Sequence, residues 1–444
     1  MAARLKIIDR DTPMLLPVDL REWVPANHIV HFILDAVKGL PLEVFHLNHK
    51  GSGSKQYSPE MMLSLLIYCY VTRRFSSRVI EEATFSDVVV RYICANTHPD
   101  HDTICTFRKN NEQAFKKAFV DVLELASSLG KLKQVGTVSL DGTKIKANAS
   151  KHAAVSYAKA GEQLELLKKE VEELNAMAKA ADALEQDTGL DLPQEIIRRE
   201  DRIKSLDQAR KIIKERHLEK QALTGADKES EEAPRKKSPK EPEEVPPKSQ
   251  YNFTDPESRI MKAGNGKHFE QAYNAQAVVD TESMLILGKH VTNAPNDKQQ
   301  LIPTVGSIPN EINYTVENVL ADSGYYSEEA VSTVEANNGP TVYASVGRQS
   351  HHKSVQDLKD DLNCSETEEE GRTFKEKMSA RLKTRKGRDL YKLRKQTVEP
   401  VFGIIKEAMG FRRFLTRGLA SVSTEWNLIT LAYNCKRLFN MLQA

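Results

Sequence analysis

Three acids, Asp141, Asp322 and Glu399, stand out among the 62 acidic residues of this 444-residue sequence because of what surrounds them. Asp141 ends the β-branched run Thr137-Val-Ser-Leu and is followed by Gly142. Asp322 ends the apolar run Val319 to Ala321 and leads into Ser323-Gly324-Tyr325-Tyr326, and Glu399 precedes an apolar helical repeat. Acids at the ends of neighbouring strands can converge. Carboxylates brought together repel and take up protons unless a cation lies among them, and a pair of Mg²⁺ ions, which prefer hard oxygen ligands, removes that penalty. Two such ions about 3.5–4 Å apart can hold the attacking and leaving oxygens of an in-line phosphoryl displacement, chemistry that requires no histidine, cysteine or serine nucleophile. The blander reading, in which Asp141 caps an Asp-Gly turn and Asp322 caps the next helix, stays open at this point.

The setting of Glu399 favours a polyanionic substrate. Between Gly371 and Gly418 there are 15 Lys or Arg against 4 acids, a net of +11 in 48 residues, although the whole chain carries only +2. Such a field draws in a polyanion and makes binding sensitive to salt. On a helix at about 100° per residue, Tyr391, Lys395, Glu399 and Lys406 share one side, so an aromatic, an acid and two cations would face the same DNA strand. Pro400 disfavours helical geometry at Glu399 and removes a backbone donor, so a helix is expected to begin near Glu399 or to kink there.

The elements that must position these residues can be read from periodicity. A chain this long should form two or three folding units. Ser58-Pro59-Glu60 opens a helix with Met62, Leu65, Leu66, Cys69 and Tyr70 on one face, and Ser77, Ser86 and the loop His98 to Asp102 introduce further short helices. Small helices with surface arginines suit a DNA-binding unit of helix-turn-helix type, and a bundle that only packs is an equal alternative. From Thr137 the texture changes to strands: Ala272 to Val279, Met284 to Val291, Val319 to Ala321 and Thr341 to Ser345, with helices expected from Asp297 and Ser327, which indicates an α/β core. Between the first two strands, apolar residues from Ala160 to Ala178 and from Ile196 to Ile213 alternate by three and four, the pattern of a helical hairpin whose second arm starts at Pro193. Thr224 to Gln250 is Lys, Glu, Ser and Pro with hardly an apolar residue and reads as a disordered tether.

These motifs together resemble the DDE transposases of bacterial insertion sequences, and the resemblance extends over nearly the whole chain. Tyr57-Ser-Pro-Glu60, Ser76-Ser-Arg-Val-Ile-Glu81 and Pro99-Asp-His-Asp-Thr-Ile104 with Phe107-Arg108 look like the helical N-terminal domain of such enzymes. Leu140-Asp-Gly-Thr143, Tyr273-Asn-Ala-Gln276, Ala321-Asp-Ser-Gly-Tyr325 and Val398-Glu-Pro-Val-Phe-Gly403 look like their ribonuclease-H-like catalytic core. The resemblance implies an α/β fold with a mixed sheet and flanking helices, preceded by an all-α helix-turn-helix-type domain and interrupted by the hairpin and tether. The expected division is 1–130 for the DNA-binding domain, 131–150 for the first part of the core, 151–223 for the hairpin, 224–252 for the tether and 253–444 for the remainder. It further implies that Asp141, Asp322 and Glu399 hold two Mg²⁺ ions, with Mn²⁺ as a substitute, and cut and join DNA at terminal inverted repeats. Tyr391 and Lys406 would contact the terminal strands, and Arg412, Arg413 and Arg417 would hold phosphates. The family's spacing of Tyr, Arg, Glu and Lys is matched by Tyr391, Arg394, Glu399 and Lys406, except that four residues instead of three separate Arg394 from Glu399. That departure puts Arg394 in doubt, and the shared helix face favours Lys395 as the cation on the side of Glu399. Partners are double-stranded DNA, both terminal repeat and target, and further copies of the chain in a dimer or higher assembly.

The remaining features narrow the class. Five scattered cysteines without a CxxC pair fit a reducing cytosol, and residues Met1 to Thr12 lack the apolar segment of a secretory leader. The longest apolar run, Met61 to Val71, is far below the roughly 20 residues needed to cross a bilayer, so the expected place is the bacterial cytoplasm beside the nucleoid. His98 and His101 near Asp100 and Asp102 are a weaker metal candidate than a turn. Trp23 and Trp426 read as core anchors, Leu428 to Leu442 as a packing helix, and Asn265 to His268 as a loop with an even chance of a phosphate contact. A DNA-binding protein without catalysis and a nuclease without joining activity are the competing readings.

Overall fold

A computed structural model describes residues 19–38, 40–47, 55–184, 191–226, 245–263, 268–347 and 373–443. Among the described residues six α-helices come first: α1 (Ile29–Val37), α2 (Pro59–Val71), α3 (Ser77–Ser86), α4 (Val88–Ile93), α5 (His101–Asn110) and α6 (Glu112–Ser128). Their starts follow local chemistry. The Ser58 hydroxyl accepts the free N–H of Met61 with Pro59 at the head of α2, and Asp100 accepts that of Thr103 at the head of α5. Asp87, not Ser86, caps α4, because one carboxylate oxygen accepts both Val89 and Val90 N–H groups. Every residue of α2 from Met62 to Val71 is buried, so this helix is the centre of the group and has no polar face.

The chain continues with β1 (Val135–Lys146), β2 (Ala154–Ser156), α7 (Tyr157–Leu184), α8 (Leu192–Ala226), β3 (Gln250–Asn252), β4 (Arg259–Ala263), β5 (His268–Asp280), β6 (Ile286–Thr292) and α9 (Leu301–Val305). It ends with β7 (Thr315–Ala321), α10 (Glu328–Glu335), β8 (Thr341–Ala344), α11 (Phe374–Lys383), α12 (Arg385–Gly403) and α13 (Leu419–Gln443). The main sheet is ordered β4-β5-β1-β7-β8, with β6 also on β5. β5 is antiparallel to β1, β4 and β6, whereas β1, β7 and β8 are mutually parallel neighbours. A mixed sheet flanked by helices in this order is consistent with the ribonuclease-H-like core expected from the motifs. One expectation is corrected: Asp141 does not end β1 and Asp-Gly makes no turn. The strand runs on because Gly142 to Lys146 keep pairing with Gln276 to Ala272 on β5.

Helices α7 and α8 form the expected hairpin, with Ala160, Leu164, Leu206, Ala209 and Ile213 in a small core of their own. At its base β2 pairs with β3. Of the expected tether, residues 227–244 lie outside the described residues, but its last part is a strand. Tyr251 is the reason: it is buried in the hairpin's core beneath the Arg216 guanidinium, 5.7 Å from the ring. Asn265 to Lys267, most of the loop weighed for a phosphate contact, also lie outside the described residues. Helix α13 packs against α1, α2, α5 and α6 on one side and β6 on the other, and Trp426 anchors it by donating its Nε1–H to the Gln276 carbonyl at 3.1 Å. One apolar core therefore runs from Val24 and Val30 through the sheet to Leu438. No helix among the described residues is long and apolar enough to cross a membrane.

Candidate active site

Parallel register brings two of the acids together. Ser139 stands opposite Leu320, so Asp141 on β1 and Asp322 just past the end of β7, each two residues further along, come level with one another. Helix α12 crosses this end of the sheet and is tied to it where the Ser139 hydroxyl donates to the Arg394 carbonyl at 3.4 Å. The Arg394 side chain, 7% exposed, then reaches all three acids: Nη1 lies 3.8 Å from Asp141 Oδ2, and Nη2 lies 3.7 Å from Asp322 Oδ1 and 3.8 Å from Glu399 Oε1. At these separations the guanidinium neutralises the acids without hydrogen-bonding them, and its buried Nε finds no acceptor. Lys395, which the helix-face argument favoured, is exposed. Helix α12 turns Arg394 toward the sheet and Lys395 away from it, and the length of the arginine side chain makes up for its angle to Glu399.

Pro400 does not start α12: the helix runs from Arg385 to Gly403 with Pro400 inside it. Gln396, Glu399, Pro400 and Gly403 are all exposed, so the backbone bond that proline removes is missing on the solvent side, where water can satisfy the freed carbonyl. A π-turn, Ile404–Ala408, follows directly and carries Lys406, whose ammonium donates to the Lys144 carbonyl at 3.1 Å.

Burial pushes the Asp141 carboxyl up to about 6. The Gly142 N–H and Arg394 oppose the shift, whereas Asp322 and Asp297 add to it. Asp297 is a fourth acid, expected only as the head of a helix, although α9 starts four residues later at Leu301. Its Oδ1 accepts from Asn274 Nδ2 at 2.6 Å and Gln276 Nε2 at 2.8 Å and lies 3.7 Å from Lys144 Nζ. A signal for the amides was present, since Asn274 and Gln276 alternate within the otherwise apolar run Ala272 to Val279. Nothing in Asn293 to Lys298 distinguished Asp297.

The basic residues surround this centre on one side. Tyr391 lies against Arg394, with the guanidinium 5.9 Å from the ring centre, and burial raises its hydroxyl pKa. Beyond the π-turn the chain runs beside the end of β1, where Lys146 N–H donates to the Arg412 carbonyl and Phe414 N–H to the Lys146 carbonyl. Arg412, Arg413 and Arg417 are exposed there. Arg412 pairs with Glu407, and Arg417 donates to the Asn148 carbonyl at 3.1 Å. Arg413, Lys146, Lys151, His268 and Phe269 line a cleft of about 180 Å³. The two histidines weighed as a metal site are engaged separately: His98 stacks on Phe85 and bonds Thr84, and His101 bonds Glu81 at 2.8 Å.

The converging donors are all carboxylate oxygens, a set that suits Mg²⁺ or Mn²⁺. Among the described residues no three acids, histidines or cysteines stand close enough to enclose an ion; the Arg394 guanidinium lies between the three carboxylates.

Two families match the sequence. The family described as Transposase DDE domain matches residues 237–435, and Transposase domain (DUF772) matches residues 18–110. Asp322 and Glu399 fall inside the first match, whereas Asp141 falls in neither and joins them through the β1–β7 register and the Arg394 guanidinium. No curated protein and no solved structure gives a significant match. One match covers the N-terminal helices and the other most of the sheet with the helices that close it, and the chain belongs to the DDE transposases of insertion sequences.

Proposed function

We propose that this transposase recognises the terminal inverted repeats of its element and cleaves and joins DNA strands through Asp141, Asp322 and Glu399. The observation that supports this most is their convergence: three acids, from β1, from the end of β7 and from α12, meet at one buried guanidinium. Divalent ions, Mg²⁺ with Mn²⁺ as substitute, would lower the pKa of an attacking water or 3′-hydroxyl there and stabilise the leaving oxygen. Asp141 and Asp322 hold one side of the centre from the rigid sheet, and Glu399 closes it from the helix. Arg394 sets a cation beside the scissile strand, its Nη atoms facing the three acids. Tyr391 flanks Arg394, and Lys406 adds a half-buried charge beside β1. Arg412, Arg413, Arg417 and the exposed Lys395 bind backbone phosphates away from the centre, and the helices of residues 1–130 read the repeat. The working form is a dimer or higher assembly on paired DNA ends.

The test is nicking of DNA that carries the element's own ends, with Mg²⁺ or Mn²⁺. Asp141→Asn, Asp322→Asn and Glu399→Gln are each expected to lower the rate at least a hundredfold while the proteins still bind that DNA. Undiminished nicking by all three variants would end the proposal.

A further inference from the structure

Asp297 has no place in the triad, yet it is built into the same centre. It lies between β6 and α9, against the residues that follow both strand acids. An added Cβ on Gly142 would come within 2.8 Å of Asp297 Oδ1, and one on Gly324 would lie 3.7 Å from its Cβ and 3.8 Å from its Oδ2. Gly142 directly follows Asp141, and Gly324 stands two residues after Asp322. Glycine at 142 is therefore what admits a fourth carboxylate beside Asp141. The same Cβ would meet Asn274 Oδ1 at 2.8 Å and would overlap Gln276 Nε2, so the two amides crowd the same spot.

How Asp297 is held indicates its use. Both amides and the ammonium of Lys144 converge on Oδ1, and among the described residues no hydrogen bond reaches Oδ2. The carboxylate is thus clamped in one orientation with one oxygen left over. Asn274 supplies a second unmet oxygen. Its Nδ2 is fixed by two acceptors, Asp297 Oδ1 at 2.6 Å and the Ala294 carbonyl at 3.3 Å, while its Oδ1, fully buried, has no donor. A buried amide oxygen without a partner, next to a carboxylate with a free oxygen, is an environment made for a cation. Tyr325 completes the frame by donating its hydroxyl to Gln276 Oε1, which leaves the Gln276 amide nitrogen turned to Asp297.

We infer that Asp297 is a fourth carboxylate of the catalytic centre, which adds its charge and its free oxygen to the divalent-cation site on the Asp141 side, with Asn274 and Gln276 as positioning residues. This rests on the assignment of Asp141, Asp322 and Glu399 as the metal-binding acids. The competing role is a structural ion pair between Asp297 and Lys144, and the two roles predict opposite effects of removing the lysine. If Asp297 serves a cation, Lys144 competes with that cation; if the pair is structural, the lysine supports the site.

The experiment is Mn²⁺ titration of the full-length protein by calorimetry at pH 7.5 without DNA, with far-UV circular dichroism of each variant. Asp297→Asn is expected to weaken Mn²⁺ binding at least tenfold, Asp297→Glu to recover part of the loss, and Lys144→Met to tighten binding severalfold. Native affinity in Asp297→Asn, with weakened binding in Asp141→Asn, overturns this inference alone. Unchanged affinity in both variants, or no Mn²⁺ uptake by the native protein, overturns the metal-binding assignment together with it. Should Asp297→Asn fail to fold, Lys144→Met decides: tighter binding supports the inference, and unchanged or weaker binding overturns it.

Discussion

Asp141 bears the largest electrostatic cost in the centre. Burial, with Asp322 and Asp297 nearby, raises its pKa from the ordinary 3.8 to about 6. The native state therefore holds this proton more tightly than the unfolded chain does. Stability without metal is full below about pH 4, falls as pH rises toward about 6, and then levels off. Asp141→Asn, which removes the ionised form, is expected to raise the metal-free melting temperature at pH 7.5, by on the order of 1 kcal/mol of stability. Thermal unfolding in a chelator should show that gain shrinking toward pH 4. Cation binding requires the ionised carboxylate, so Mn²⁺ affinity should drop as pH is lowered through about 6. An affinity that stays flat between pH 5 and 7.5 would remove Asp141 from the ligand set. The spacing put Arg394 in doubt and the helical wheel favoured Lys395, yet Arg394 meets the acids. A wheel gives the direction in which a side chain leaves the helix, and it takes no account of how far a long, planar cation can reach once its stem is buried.

At the scale of elements, α12 decides where Glu399 stands, and its start is held by a tight corner. The Thr384 hydroxyl accepts the Gly387 N–H at 2.9 Å, and an added Cβ on Gly387 would overlap the Arg381 carbonyl oxygen. The Arg381 side chain is pinned in turn, donating to the Val342 carbonyl of β8 at 2.8 Å and pairing with Glu335. Because a backbone atom on an anchored turn cannot give way, Gly387→Ala should destabilise the protein by about 1–3 kcal/mol. It should also move Glu399 enough to cost more than tenfold in nicking. Urea unfolding and the nicking assay check the two effects, and a variant indistinguishable from native would show that the corner yields. Strand β1 carries the complementary lesson. Its apolar run made Asp141 look terminal, but the pairing of Gly142 to Lys146 with β5 extends the strand and turns Lys144 toward Asp297. Strand length is set by the partner, and the partner lies more than a hundred residues away.

Over the whole molecule, the N-terminal helices and the sheet share one core, and a buried polar relay crosses it. Arg108 of α5 donates to the Tyr70 hydroxyl of α2 at 3.2 Å, and Tyr70 donates to Glu425 of α13. The other oxygen of Glu425 accepts from Leu415 N, Thr416 N and Thr416 Oγ1 at 2.8–3.1 Å. Glu425→Ala would orphan these donors and leave Arg108 without its counter-charge, at an expected cost of about 3–5 kcal/mol in urea unfolding. Because the same carboxylate braces the segment that carries Arg412, Arg413 and Arg417, DNA affinity should fall as well. A loss below about 1 kcal/mol would mean that the two halves are not coupled through this relay.

By itself the sequence determined the local matters: the N-terminal helices and the Ser58 cap of α2, the alternation of strands and helices, the hairpin in the insertion, the basic C-terminal stretch, and the acid that follows β7. Each depends on residues within a few positions of one another, where periodicity and capping chemistry act. The meeting of the three acids at Arg394, the entry of Asp297 beside Gly142, the passage of α12 through Pro400 and the single core that joins both halves were decided only by tertiary structure. They depend on register between distant strands and on which side of a helix faces solvent, and both are set by packing partners remote in the chain.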